Sequence, residues 1–350
     1  MEKTENGHAP VLHGQIVSKR PPCRKLMGVR VLATGAYVPD AVVNNEQLGR
    51  LFRCDPDWIV RRTGIYERRH ALPHQATTDL CYEAARQCLE RAPIGREEID
   101  LLLVGTYTPD NSFPSASCIL QDRLGLVCGA MDINVGCAGF LYCLVTAAAY
   151  IKAGVCRNIL VIGGDINSRI ADPGDPKTYP LFGDGAGAVV LSASDQEHGI
   201  LAYQLGADGS GQGLLIRPGC GSRLPPDPEV LDRGYQYLHM DGRSVFRWAV
   251  TILSDSIRDV LDYAGLDVGD IDYFITHQAN IRIIFAATDV LGIPRDKVQS
   301  NVRWYGNTSA ASVPIALNES VEQGLVHRGR YYVFSGFGAG LAWSTMVFRW

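Results

Sequence analysis

MDINVGCAGFLYCLVTAAAYIKAG, residues 131–154, is the stretch that decides the reading of this chain. It opens on a segment of strand length, passes through small residues, and enters a helix whose apolar character extends around its whole circumference. Such a helix belongs in the middle of a protein, not on its surface. Cys137 stands where the strand gives way to that helix, with Gly136, Ala138 and Gly139 around it. A thiol at a helix N-terminus faces unpaired backbone N–H groups and the positive end of the helix dipole, which favour the thiolate. The small neighbours leave room for a substrate. Taken alone, the pattern suits a packed core cysteine equally well.

Working outward, strand-like and helix-like segments alternate. VRVLATGAYVP (29–39) reads as a strand, NNEQLGRLF (44–52) as a short helix opened by an Asn cap, and TTDLCYEAARQCLERA (77–92) as an amphipathic helix. IDLLLVG (99–105) and NILVIGGDI (158–166) are continuous apolar runs, the signature of strands covered on both faces. The second part repeats the theme. SVFRWAVTILSDSIRDVLDYAG (244–265) is a long helix, IDYFIT (271–276) a strand, and NIRIIFAATDVLG (280–292) and SAASVPIALNESVEQG (309–324) are helices. RYYVFSGFGAGLAWSTMVFRW (330–350) gives two closing strands around a Gly-rich turn. The economical fold is α/β, two βα-rich halves sharing one core, here divided as 27–200 and 201–350. Residues 1–26 read as a polar, mobile extension, and 211–236, rich in Gly and Pro, as an irregular excursion of the kind often found near a site.

Composition narrows the function classes. Hydrophobic residues make up 46% and charged residues 20% of the 350, and the formal net charge is −4, which gives no basis for nucleic-acid binding. The ten cysteines include no CxxC pair and mostly sit in apolar runs, so reduced cytoplasmic thiols are expected, with no metal site. No apolar run reaches the length of a membrane span, and the N-terminus lacks the apolar core of a secretory signal.

Three further features matter. His277 sits where the strand IDYFIT meets a polar loop, Asn307 lies in YGNTSAAS just ahead of a helix, and FSGFGAGLAW (334–343) is Gly-rich. Each has an ordinary explanation as a loop residue, a cap or a hairpin turn.

Together they resolve. From residue 28 to 350 the sequence resembles the β-ketoacyl-acyl-carrier-protein synthase III family of the thiolase fold. The resemblance is carried, in order, by DWIVRRTGI (57–65), SFPSAS (112–117), NVGCAGF (134–140), LFGDGAGAVVL (181–191), HQANIRI (277–283), GNTSAAS (306–312) and GFGAGLAW (336–343). It implies a five-layered αβαβα core and a homodimer. It also implies a catalytic trio of Cys137, His277 and Asn307, with backbone donors at Cys137 and Ala339 for an oxyanion. Cys137 would take an acyl group from acyl-CoA, and malonyl-acyl carrier protein (malonyl-ACP) would decarboxylate and condense with it, with no metal or redox cofactor. Trp58 and Arg62 match coenzyme A (CoA) contacts, Phe113 a wall of the partner's acyl pocket, and Arg247 and Arg282 basic positions that meet the carrier protein.

Three positions depart from the family pattern. Pro176 stands where an arginine often sandwiches the adenine, Asp289 and Val290 stand where a lysine pair often helps to dock the carrier, and Ala339 replaces a common glycine. The same scaffold also serves starter condensation and acyl transfer in secondary metabolism, and a non-catalytic acyl-binding protein is the reading from a different class.

Overall fold

Asn158–Ile166 is buried along its entire length, as an apolar run without a polar face requires. In the computed structural model, which describes residues 16–195 and 197–350, this strand is the centre of a five-stranded sheet. The order is Val29–Tyr37, Asp184–Ala193, Asn158–Ile166, Leu101–Gly105, Gly129–Ile133. The first two pairings are antiparallel and the last two parallel.

The second sheet repeats the plan. Gly199–Ala207, Ala342–Arg349, Tyr331–Gly338, Ile271–Thr276 and Val298–Gln299 follow one another with the same two antiparallel and two parallel pairings. Counted along its own half, each sheet runs 1-5-4-2-3. The halves are therefore alike in topology.

Helices complete the layers. Gly139–Lys152 and Ser312–Glu322, one from each half, lie between the sheets, and their side chains share one cluster with Val161 and Leu191 of the first sheet and Phe334 and Phe348 of the second. Thr77–Arg91 covers the outer face of the first sheet through Leu80, Ala84 and Cys88. Gly242–Ala264 and Ile281–Val290 cover the outer face of the second through Trp248, Leu253, Ile257 and Ile284. The result is the expected αβαβα arrangement. A helix apolar all round is stable here because a sheet lies on either side of it.

The N-terminal expectation needs correction. Of the extension 1–26, residues 1–15 lie outside the described residues, but 16–26 are fastened to the body. Arg24–Met27 adds a sixth, antiparallel strand to the second sheet. Ser18 Oγ donates to Asp208 (2.8 Å) and accepts from Trp248 Nε1 (3.0 Å), while Arg20 pairs with Asp255 and Asp259 at 2.9 and 2.6 Å. The polar residues that suggested a solvated tail are used as anchors.

The 211–236 segment carries the short helix Pro228–Asp232, and Leu215–Ile216 within it pairs with His239–Met240. Among the described residues no helix is long and apolar enough to cross a membrane.

Candidate active site

Cys137 occupies a single 3₁₀ turn, Gly136–Ala138, that leads into the central helix Gly139–Lys152. It lies at the wall of a cavity of about 720 Å³. His277 and Asn307 reach the same cavity, although they come from the other half of the chain. The remaining lining is largely apolar, including Ile170, Phe182, Leu238, Phe246 and Ile283. The trio expected from sequence thus converges on one space.

Cys137 is buried, and that burial pushes its thiol up to about 12. Ser309 Oγ, 3.3 Å from Cys137 Sγ, works against that rise, whereas the nearby Asp165 adds to it. The favourable field expected at a helix start is therefore opposed by desolvation. Position at the helix start does not by itself make this cysteine a thiolate.

His277 follows strand Ile271–Thr276, and its N–H donates to Ser335 O at 2.6 Å. The ring packs edge-on against Phe337, with centroids 5.2 Å apart. Nδ1 lies 2.7 Å from Ser312 Oγ, leaving Nε2 as the end toward the cavity. Ser312 Oγ is also 2.8 Å from Ser309 O, a carbonyl that already receives the Ser312 backbone N–H. The Ser312 hydroxyl thus has two acceptors in reach, and the ring tautomer follows its direction: donation to Ser309 O lets it receive an Nδ1–H, whereas donation to Nδ1 leaves the ring proton on Nε2, the form that donates into the cavity. Burial pushes His277 down to about 3, so the imidazole is neutral.

Asn307 is held by its backbone on both sides. Its N–H donates to Leu181 O (2.8 Å), and its carbonyl accepts from Gly183 N (3.0 Å) and Asn167 Nδ2 (3.5 Å). Its Oδ1 accepts from Ser309 N (2.9 Å). That bond uses the acceptor end of the amide, so Nδ2 is the end left for a ligand. Beneath this loop lies Arg68, fully buried, which donates to Pro180 O, Val43 O and Asn45 Oδ1. Burial lowers its guanidinium to about 10.

The closing turn meets the thiol directly. A Cβ added at Gly338 would stand 2.9 Å from Cys137 Cβ and 3.0 Å from its Sγ, so glycine is needed for this approach. The strained position of the turn falls on Gly340 (φ 146°), not on Ala339, which explains why alanine is accommodated there.

The outlying expectations fare differently. Trp58 and Arg62 lie together on helix Pro56–Thr63, the guanidinium carbon 5.5 Å from the ring centre. Phe113 is 86% exposed. Arg247 is exposed on helix Gly242–Ala264, and Arg282 stacks 5.7 Å over Phe246 at the cavity. Pro176 is exposed in the 172–178 turn beside Lys177. Asp289 is engaged by Arg295 at 2.9 Å, and Arg295 in turn stacks 3.9 Å over Phe285. The acidic departure at 289 is thus offset within the chain, whereas Val290 is simply exposed.

Sequence reasoning passed over Ser309, Ser312 and Asp165. The two serines belong to GNTSAAS, where a serine at the start of a helix is an ordinary residue. Asp165 carried a usable signal, an acid inside a fully buried strand.

A nucleophile-type cysteine from one half and a His–Asn pair from the other, meeting between duplicated sheets, define a condensing enzyme of the thiolase fold. The chain belongs to the 3-oxoacyl-[acyl-carrier-protein] synthase III family. The family's two models match residues 131–209 and, for its C-terminal part, 261–350. A β-ketoacyl-[acyl-carrier-protein] synthase III from Rhodopirellula baltica is 50% identical over 343 positions, covering 93% of this chain and 99% of that one. The synthase III of Caldanaerobacter subterraneus is 44% identical over 329, covering 94% and 99%. Among solved structures, 3-oxoacyl-[acyl-carrier-protein] synthase III from Aquifex aeolicus superposes with a TM-score of 0.86 at 39% identity, covering 92% of this chain and all of that one.

Proposed function

We propose that this enzyme initiates fatty acid synthesis by condensing the acyl group of an acyl-CoA with malonyl-ACP through an acyl-Cys137 intermediate. The observation that carries the reading is the convergence of Cys137, His277 and Asn307 on one apolar cavity. In the first stage the Cys137 sulfur attacks the thioester, and the backbone N–H groups of Cys137 and Ala339 receive the oxyanion. CoA leaves as its thiol.

In the second stage malonyl-ACP loses carbon dioxide, and the electron pair left behind is delocalised onto the thioester oxygen. Asn307 Nδ2 and His277 Nε2–H both donate to that oxygen, and a neutral imidazole suits a donor that need not be a base. The carbanion attacks the acyl-Cys137 carbonyl and expels the Cys137 sulfur, releasing β-ketoacyl-ACP. Decarboxylation generates the carbanion, so the proposal calls for no metal or redox cofactor.

Around this centre, Trp58 and Arg62 are assigned to CoA, and Arg247 and Arg282 to the acidic carrier protein. The exposed Phe113 is assigned to the acyl pocket of a second subunit in a homodimer, and the enzyme to the cytoplasm. A panel of acyl-CoAs scored by intact mass, followed by malonyl-ACP and capture of carbon dioxide, tests the reading. A Cys137 adduct followed by carbon dioxide and β-ketoacyl-ACP is expected. An adduct without carbon dioxide release makes the chain an acyltransferase of another kind, and no adduct on the wild type makes it a binder.

A further inference from the structure

Asn307 takes its place from a run of chain to which it does not belong. Residues 180–183 pass alongside it. Leu181 O accepts the Asn307 N–H at 2.8 Å, Gly183 N donates to Asn307 O at 3.0 Å, and Phe182 and Asn307 form a parallel bridge. Whatever holds 180–183 therefore holds Asn307.

Arg68 supplies that hold. It sits on the short strand Glu67–Arg69 and is fully buried. Its Nε and Nη2 both donate to Pro180 O, at 3.2 and 2.7 Å, while Nη1 donates to Val43 O (3.0 Å) and Asn45 Oδ1 (2.8 Å). The base of the side chain lies against both partners in the bridge. A Cβ added at Gly306 would stand 3.2 Å from Arg68 Cβ, and one added at Gly183 would stand 3.3 Å from it. Gly306 immediately precedes Asn307 and has φ 64°, so the backbone on one side of the amide is moulded directly onto Arg68.

Arginine is a costly choice for this place. All the acceptors named are neutral, and the nearest acid in sequence, Glu67, turns to Arg69 at 3.4 Å. A buried charge without a carboxylate in contact burdens the fold, and an apolar side chain would fill the space with less penalty. What arginine adds is a rigid planar fork that grips several acceptors at once, which the single ammonium of lysine does not. Arg68 is not among the residues that wall the cavity, so it does not meet a substrate.

We infer that Arg68 is the positioning residue for Asn307: through residues 180–183 and Gly306 it fixes where the Asn307 amide stands in the cavity. The inference rests on the condensation reading above, in which Asn307 acts in the second stage only.

Arg68→Lys keeps the charge and most of the length but loses the fork, and Arg68→Met loses both. In Arg68→Lys, acylation of Cys137 by acyl-CoA should stay within a few-fold of the wild type. Its kcat for carbon dioxide release from malonyl-ACP should fall at least about tenfold, since a small misplacement of a reacting group suffices for that. KM for malonyl-ACP should hold. Arg68→Met should approach the loss seen in Asn307→Ala. Placed in an Asn307→Ala background, Arg68→Lys should cost nothing more, because the group it acts through is already gone. Wild-type condensation in Arg68→Lys would overturn the inference. So would an equal fall in both stages, or an undiminished further fall in the double variant, either of which would reduce Arg68 to a core residue.

A second readout needs no reaction. With asparagine-selective ¹⁵N labelling, the Asn307 side-chain NH₂ pair is identified by its loss in Asn307→Ala. That pair should shift and broaden in Arg68→Lys, and an unchanged pair would overturn the inference. The two failures are thereby separated: a wild-type enzyme that releases no carbon dioxide sinks the condensation reading, while the amide signal still decides the role of Arg68. If Arg68→Met does not fold, Arg68→Lys carries the test, and if neither folds the inference falls.

Discussion

Asn307 Oδ1 accepts the backbone N–H of Ser309 at 2.9 Å, and this one bond decides which end of the amide faces the cavity. An amide presents either an acceptor or a donor to a ligand, and here the acceptor is already used. In the proposed second stage this bond leaves the amide N–H to meet the negatively charged oxygen, fixed in the donating sense before any substrate arrives. Removing it should separate the two stages of the reaction. Asn307→Ala and His277→Ala are expected to retain self-acylation within a few-fold while condensation falls about 10²–10³-fold. Intact mass and carbon dioxide release measure the two stages separately. Equal loss of both in a folded Asn307→Ala would contradict the assignment.

Acid should weaken the fold through His277. Unfolded, the imidazole takes a proton near pH 6.5, whereas folded it holds out to about 3. Between those values the unfolded chain binds the extra proton, so stability falls as pH drops from about 6.5 toward 3. Asp165 acts in the opposite sense, because it takes a proton near 6 in the folded state and only near 4 when unfolded. His277→Gln removes the first effect and keeps the second. The drop in urea midpoint from pH 7 to pH 5 should therefore be smaller in His277→Gln, and a drop as large as the wild type's would count against the neutral buried imidazole.

Gly338 and Ala339 are neighbours with opposite tolerances. A methyl group at 338 would strike Cys137 at 2.9 Å, so Gly338→Ala should displace the thiol, cost about 1–3 kcal/mol and abolish the acyl adduct. Ala339→Gly relieves no strain, because Ala339 does not occupy the left-handed region. It should leave acylation unchanged and shift stability by less than about 1 kcal/mol. Thermal unfolding and adduct mass on the pair check both halves of the statement.

Asp289 offers a test of carrier docking. Its pairing with Arg295 is exposed and holds a positive charge in check. Asp289→Asn should free that charge and lower KM for malonyl-ACP about two- to threefold at low ionic strength, with the benefit fading as salt rises. Acylation by acyl-CoA should be unaffected. An unchanged KM would place the docking surface elsewhere.

Each member of the trio stands at a junction with an ordinary explanation of its own, and the motifs NVGCAGF, HQANIRI and GNTSAAS, taken together as a family resemblance, are what joined them. Ser309 and Ser312 were in view but carried no mark of their own, since a serine before a helix has an everyday reason to be there. Asp165 differs from them, because a lone acid within the apolar run NILVIGGDI is itself a mark. Residues 16–26 were misread for a different reason. Ser18 and Arg20 find their partners 190 and 239 positions away, and no local pattern reports a contact of that range. Strand order is equally non-local, so the matching sheets emerged only from the pairing.

That shared order, 1-5-4-2-3 in each half, has an outcome for how the enzyme can change. The seam between the halves is where the cavity lies, with the thiol supplied from one side and the donor pair from the other. In the proposed chemistry neither side completes a stage alone: capture of the starter draws on Cys137 from the first half and the Ala339 N–H from the second, and the extender meets His277 and Asn307 above the same thiol. The cavity wall is shared as well, with Ile170 and Phe182 from one half facing Leu238 and Ile283 from the other. A change in either half therefore reaches both stages, and the loops at the meeting line of the duplicated sheets must vary together.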